Sequence, residues 1–235
     1  MTIHVYSIMW NEVFLLPYFL RHYSLFADRI FIINDHSTDK TVSVARSHDK
    51  VTVLDYKYKS GLDEANFNQC FTRYYKKYSR GVADWAICVD ADEFIYHPHL
   101  IQNLQRQRQK GVRIISTTAY TMIAKRLPRK AGQIYEECAS GLRTRGYDKP
   151  VVFDPQLDVS FGAGRHSITA TDGTRPHKGK LALLHFRYLS QGYFLQRTKN
   201  QLTKMAVSNA YKNYRLTKGL NFYHQALKSP LIKVI

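Results

Sequence analysis

The stretch "WAICVDADEF" runs apolar over residues 85–89 and then sets Asp90, Asp92 and Glu93 within four positions. Three carboxylates that close repel one another and lose hydration at the end of a buried strand, so their charged forms need a compensating cation. Oxygen donors suit Mg2+ or Mn2+, which keep waters and share their coordination with substrate phosphates. The bland alternative is an acidic loop capping a helix near Pro98, and a lone D-x-D does not decide between the two. Other chemistries also place acids after an apolar strand. A Walker B strand needs a partner loop of the form GxxxxGK[ST], and the nearest segment, "GTRPHKGKL", has the wrong spacing and ends in Leu181. A phosphatase with a D-x-D nucleophile usually carries Thr or Val two residues after the second Asp, where this chain has Phe94. Both readings are minor.

A second cluster follows another apolar strand. "IFIINDHSTD" ends in Asn34, Asp35, Ser37, Thr38 and Asp39. An Asp just past a parallel strand can accept hydrogen bonds from a base or ribose, while Ser37, Thr38 and Asp39 can equally cap the helix that follows. Asn11 and Glu12 lie at the end of a third strand. Three polar strand ends along one edge describe a nucleotide cleft.

The elements that must position these groups alternate in type. Strands are expected over residues 3–9, 29–33, 51–54 and 85–89, and helices over 12–26, 41–47 and 63–78. In the last helix Phe67, Cys70, Phe71, Tyr74 and Tyr78 recur at helical spacing. Such alternation implies right-handed βαβ units, a parallel sheet and a cleft at the strands' C-terminal ends. The pattern then loosens: a helix in "LIQNLQRQRQ", a β-branched strand in "VRIISTTAYTMI", and a basic irregular loop over 125–150. Short β runs follow at 151–153, 157–161 and 181–188, then a final helix over 191–211 with Phe194, Leu195, Leu202, Met205 and Ala206 on one side. The expected class is α/β, a Rossmann-like sheet with helices on both faces and a mixed C-terminal half.

Bulk properties narrow the partners. The 235-residue chain is 44% hydrophobic, a globular composition, and has no apolar run long enough to span a bilayer. The N-terminus lacks the charged-then-apolar layout of a secretory signal. Cys70, Cys88 and Cys138 are widely spaced, which fits reduced thiols in the cytoplasm better than a zinc site. The net charge is +17, and residues 173–235 hold twelve Lys and Arg with no Asp or Glu. Such a tail fits a phosphate-bearing substrate, an anionic membrane surface or nucleic acid, or is a merely solvated basic face. It also confines any carboxylate base or ligand to Asp172 or earlier.

Together "YSIMWNE", "IFIINDHSTD" and "WAICVDADEF" resemble the family 2 type glycosyltransferases of the GT-A fold, most nearly a bacterial subgroup with a D-x-D-E-F metal motif. Looser likeness continues through "YDKPVVFDP", "GAGRHSI" and "LLHFRYLSQGYFLQRTK". The resemblance implies one domain over 1–235, with a nucleotide-sugar half (1–100), an acceptor half (101–190) and a basic C-terminal helix and tail (191–235). It implies that Asn11, Glu12, Asp35, Ser37, Asp90 and Lys149 bind the donor nucleotide. Asp90 and Asp92 would hold Mn2+ or Mg2+ together with a His, either His166 or His185. Inverting members deprotonate the acceptor with a carboxylate. Here the candidates are Glu136, Glu137, Asp148, Asp154, Asp158 and Asp172, with Glu137 and Asp154 named first.

The expected activity is metal-dependent, inverting hexosyl transfer from a nucleotide-diphosphate sugar. The acceptor would be a saccharide or lipid-linked saccharide of a cell-surface glycan such as lipopolysaccharide or capsule. The location would be cytoplasmic, with peripheral contact at the anionic inner face of the membrane through Tyr211, Tyr214, Phe222 and Tyr223. The competing reading is a basic nucleic-acid- or membrane-binding module without catalysis. No zinc-finger or RNA-recognition signature supports nucleic acid, and the strand-end acids would repel it. A sugar-binding relative without turnover is a third reading.

Overall fold

The computed structural model describes residues 1–58, 63–129, 131–205 and 207–235. Four parallel strands form its centre. β1 (Ile3–Met9) pairs on one side with β2 (Arg29–Asn34), itself paired with β3 (Val51–Asp55), and on the other with β4 (Trp85–Cys88). α1 (Leu16–Tyr23), α2 (Thr41–Arg46) and α3 (Glu64–Tyr78) connect them. Side chains alternate between two cores. Val5, Ile32, Trp85 and Ile87 pack with Leu16 and Phe19 of α1, whereas Tyr6, Phe31, Ile33 and Cys88 pack with Phe71 and Tyr75 of α3. Burial on both faces is why these strands read as unbroken apolar runs.

The second half turns largely antiparallel. It adds β5 (Glu93–Tyr96), α4 (Leu100–Gln109), β6 (Ile114–Ile123), α5 (Ile134–Glu137), β7 (Ser140–Arg143) and β8 (Val152–Phe153). β9 (Val159–Phe161) and β10 (Ile168–Ala170) form a separate two-stranded sheet. β8 lies between β4 and β6, antiparallel to both. β11 (His177–Tyr188) runs parallel to β6 and antiparallel to β5. The last elements are α6 (Gln191–Thr203), α7 (Asn209–Lys228) and β12 (Ile232–Lys233), the last paired with β7. Among the described residues no helix is long and apolar enough to cross a membrane.

Several expected elements differ in extent. α3 starts where its cap dictates, with Asp63 Oδ1 accepting from Ala65 N and Asn66 N. α1 begins at Leu16 rather than near Glu12, because residues 10–15 form a loop in which Asn11 adopts φ 53°. The expected loop over 125–150 contains α5, β7 and a 3-10 turn at 145–147. The expected last helix divides into two, the second capped by Ser208, whose Oγ accepts from Tyr211 N. Ala206 lies outside the described residues.

His22 couples the core to pH. Its ring is buried on α1 against Tyr23 and Phe94, and Nε2 donates to Ile95 O at 2.8 Å. Nδ1 has no partner, so a second proton would add an unsatisfied buried donor. Burial pushes the imidazole down from 6.5 to about 4, with the Ile95 bond opposing. The unfolded chain therefore takes up a proton that the folded chain refuses. The corresponding stability is complete above pH 6.5 and is lost as pH falls toward about 4, about 3 kcal/mol in all. Urea unfolding across that range should show this slope in the wild type and lose it in His22→Gln, whose amide can still donate to Ile95. Equal slopes in both would exclude His22 as the source.

Candidate active site

The chain turns immediately after β4. Glu93 N donates to Asp90 O, and Asp90 N donates to Glu93 Oε2, each at 3.0 Å. The turn feeds β5, whose register sets Glu93 opposite His185 of β11. Phe186 N donates to Asp92 O at 2.8 Å. This pairing carries a His from the far half of the chain onto the acids, and His185 Nε2 lies 3.3 Å from Asp92 Oδ2.

Each acid meets a cation from a distant segment. Lys149 Nζ donates to Glu93 Oε1 at 2.6 Å and lies 3.6 Å from Asp90 Oδ2. Its backbone is fixed by Thr117, whose N and Oγ1 both donate to Lys149 O at 2.9 Å. Arg165 donates to Asp90 Oδ1 and lies 4.8 Å from the Phe71 ring centroid. Arg165 occupies the left-handed region at φ 58°, which is uncommon for a side chain of its size. α3 holds that loop: Asn68 Nδ2 donates to Phe161 O at 3.1 Å, and Gly164 N donates to Glu64 Oε2 at 2.9 Å. From α6, Arg197 donates to Asp92 Oδ2 and, at 2.6 Å, to Glu12 Oε1. Just past α6, Lys204 Nζ donates to Asp35 Oδ2 at 2.6 Å and stands 4.1 Å from the Trp10 ring centroid.

These contacts set the charge states. Burial opposes ionisation of Asp90, but Arg165 and Lys149 outweigh it and hold its pKa below the ordinary value. The Asp90 side chain keeps 42% of its accessibility, so solvent screens part of that effect. Burial likewise works against the Asp92 carboxylate, and Arg197 with His185 holds it well below the usual range. Glu12 is raised, because burial outweighs its pairing with Arg197. Desolvation acts against Lys149, yet Glu93 and Asp90 raise it. His166 is lowered by burial and by neighbouring Lys149.

Asn11, Glu12, Asp35, Asp90, Asp92, Lys149, His166 and His185 all reach one cleft of about 430 Å³. Asn11 and Ser37 tie its rim together: Asn11 N donates to Ser37 Oγ at 3.1 Å, and Thr38 N donates to Asn11 Oδ1 at 2.8 Å. His166, open to solvent but with its ring partly desolvated at the cleft, faces Tyr147, with ring centroids 5.7 Å apart. Glu137 stands apart, its Oε1 accepting from Arg129 N at 2.9 Å beside a different cavity of about 600 Å³. Asp154 is also elsewhere, pairing with Arg113 at 3.0 Å. Sequence reasoning passed over Trp10, Tyr147, Arg165, Arg187, Arg197, Lys204 and Arg215, all at the cleft. Arg165 lies inside "GAGRHSI", next to His166.

Asp92 Oδ2 and His185 Nε2, 3.3 Å apart, are close enough that they would both hold one cation. A carboxylate oxygen with an imidazole nitrogen suits Mn2+ better than Mg2+, which prefers oxygen donors alone. Among the described residues no group of three or more His, Cys, Asp or Glu side chains could hold a metal unaided. The other positions would therefore fall to water and phosphate oxygens, as these ions prefer.

The chain belongs to Glycosyl transferase family 2, whose sequence profile matches residues 18–165. It is therefore a glycosyltransferase, and its sheet, parallel over β1–β4 and mixed beyond, lies between helices in the α/β arrangement that the sequence resemblance implied. No curated protein matches it significantly. Among solved structures it is similar to S. aureus TarS 1–349 in complex with UDP-GlcNAc, at 15% identity and TM-score 0.45 over 94% of this chain and 72% of that one. It is also similar to Mycobacterium tuberculosis glucosyl-3-phosphoglycerate synthase in complex with Mn2+, UDP and glucosyl-3-phosphoglycerate. There the identity is 18% and the TM-score 0.36, over 51% of this chain and 44% of that one.

Loss of Arg197 would strand Glu12 at low exposure and leave Asp92 with His185 alone. Arg197→Met should destabilise the metal-free protein by about 3 kcal/mol, because unpaired buried charge costs more than the pair contributes. Adding Glu12→Gln should recover part of that loss in urea denaturation. Purely additive costs would show that the two side chains do not interact.

Proposed function

We propose that the cleft binds a nucleoside-diphosphate sugar and transfers its sugar to a saccharide hydroxyl with the help of a divalent metal. The observation that carries the reading is the Asp92–His185 pair, set in one cleft with Asp90 at the end of β4 and Asp35 at the end of β2, on either side of β1. Asp35 accepts from the base or ribose once Lys204 releases it, and Asn11 and Ser37 keep that rim in place. Arg165 and Lys149 hold Asp90 ionised, and Lys149 also pairs with Glu93, which fixes the turn at the cleft. Asp92 and His185 would hold a divalent cation, which would supply Lewis-acid stabilisation of the leaving diphosphate. The acceptor oxygen forms a bond to the anomeric carbon while the bond from that carbon to the diphosphate oxygen breaks. The electron pair departs on the nucleoside diphosphate, and the hydroxyl proton passes to a base.

The resemblance in the sequence motifs supports an inverting course. With Glu137 and Asp154 engaged elsewhere, the carboxylates that face the cleft are the remaining candidates for the base. The reading treats residues 1–235 as one catalytic domain with its donor half over 1–100. The basic tail supports an anionic cell-surface acceptor made at the inner face of the membrane.

Thermal unfolding against UDP, GDP, CMP and dTDP, each with and without Mn2+, tests the reading. One nucleotide should raise Tm only when metal is present, and Asp92→Asn should remove that shift. With the matching sugar nucleotide, the same substitution should lower turnover about 100-fold or more. Stabilisation by DNA or anionic vesicles, with none by any nucleotide, would replace the transferase with a binding module.

A further inference from the structure

Beside the donor cleft lies a second cavity of about 450 Å³, between β11 and the two C-terminal helices. Tyr147, His185, Arg187 and Arg215 border both spaces. Its wall is aromatic: Tyr188 stacks on Phe194 at 4.9 Å between centroids and lies 5.0 Å from Phe222. α7 can approach this wall only because residue 219 is glycine, where a Cβ would stand 2.1 Å from Phe194 Cζ. Tyr211 and Tyr214 stand exposed at the mouth.

The cavity's charge differs in kind from that of the donor cleft. Lys149, Arg165, Arg197 and Lys204 are each committed to a carboxylate of this chain. Arg187, Arg215 and Lys218 line the second cavity, and among the described residues none of them is ion-paired with a carboxylate. Arg187 leans on the Phe194 ring at 5.7 Å, and Lys218 on Tyr214 at 5.6 Å. No wall built from residues 173–235 can offer an acid, since that segment has none. Among the described residues Arg215 and Lys218 face no carboxylate and Arg187 reaches one only through the field it exerts on Asp92, so this aromatic wall favours negative charge brought by a ligand.

We propose that this cavity seats the acceptor and selects a saccharide bearing an anionic group, a carboxylate or a phosphate. The inference rests on the transferase reading and names the substrate class of its second half. Aromatic faces accept the C–H-rich face of a sugar ring, while the guanidinium forks and Lys218 take the anion. Tyr147 and His185 stand between the two spaces, so a sugar seated here presents a hydroxyl toward the donor.

The test compares glucose, glucose 6-phosphate and glucuronate by ligand-observed NMR on the full chain, with and without nucleotide and Mn2+. At least one anionic sugar should bind about tenfold tighter than glucose, and Lys218→Glu, checked for folding by circular dichroism, should erase that preference. The two anionic arms tell a phosphate site from a carboxylate site. Nucleotide affinity should stay within about twofold in the same variant, because Lys218 borders only the second cavity. Equal binding of all three sugars overturns the proposal. So does a variant that loses nucleotide and sugar together, which assigns the cations to the donor's diphosphate. Phosphatidylglycerol vesicles that bind the wild type but not Lys218→Glu, without any preference among the sugars, would make the patch a lipid surface and also overturn it. Failure of the wild type to bind any nucleotide counts against the transferase reading alone, since the sugar comparison is also made without nucleotide.

Discussion

Burying carboxylates at the end of a sheet is the constraint on which this structure turns. The side chains of Asp92 and Glu93 keep only 4% and 1% of their accessibility. Ionised groups so deep exact several kcal/mol of desolvation each unless cations and hydrogen bonds meet them. No cation is available locally, because the segment around the turn is apolar. Lys149 therefore arrives from the β7–β8 connection, Arg165 from the loop between β9 and β10, and Arg197 from α6. Each of those segments is fixed by contacts of its own, to Thr117, to α3 and to the Ser190 cap. The second half of the chain is thus organised around charges set by the first.

Register transmits this organisation. β5 and β11 pair so that Glu93 faces His185, and side chains alternate across a strand. A slip of one residue would put Leu184 or Phe186 opposite Glu93 and send His185 to the other face. The slip is resisted by the core, because Phe94, Leu183, Leu184 and Phe186 are fully buried and would have to move with it. Hydrophobic packing therefore protects a polar contact that contributes little to packing itself.

The same division explains what was legible in the sequence. Strand ends are local features, so Asn11, Asp35, Asp90 and Asp92 could be read from an apolar run followed by polar residues, and the structure lines them along one cleft. α3 was legible because its helical spacing is regular and Asp63 marks its start. The partners were not legible, because an arginine 75 residues from its aspartate leaves no trace in spacing. In "GAGRHSI" nothing local says whether Arg165 or His166 turns inward; Gly164 at φ 56° and the brace from Glu64 and Asn68 decide that. α7 escaped notice because only Gly219, Tyr223 and Ala226 of its length are buried, too few to mark a period.

Charge balance also constrains how a donor could be taken up. Glu12, Asp35, Asp90, Asp92 and Glu93 each hold a cation of the cleft, so a bare diphosphate would meet carboxylates whose neutralising cations are already committed and would have only Arg187 and Arg215 at the border to answer it. A bare divalent ion at Asp92 would meet Arg197 on the same oxygen and be repelled by it. Brought together, a divalent ion and a diphosphate largely cancel and leave the paired network near its resting balance. On the transferase reading, the paired network thus favours joint binding of metal and nucleotide over either alone. The second cavity obeys the opposite rule. Its cations are unmatched, so an anion there needs no metal, and the two halves of one site can discriminate between two kinds of negative charge.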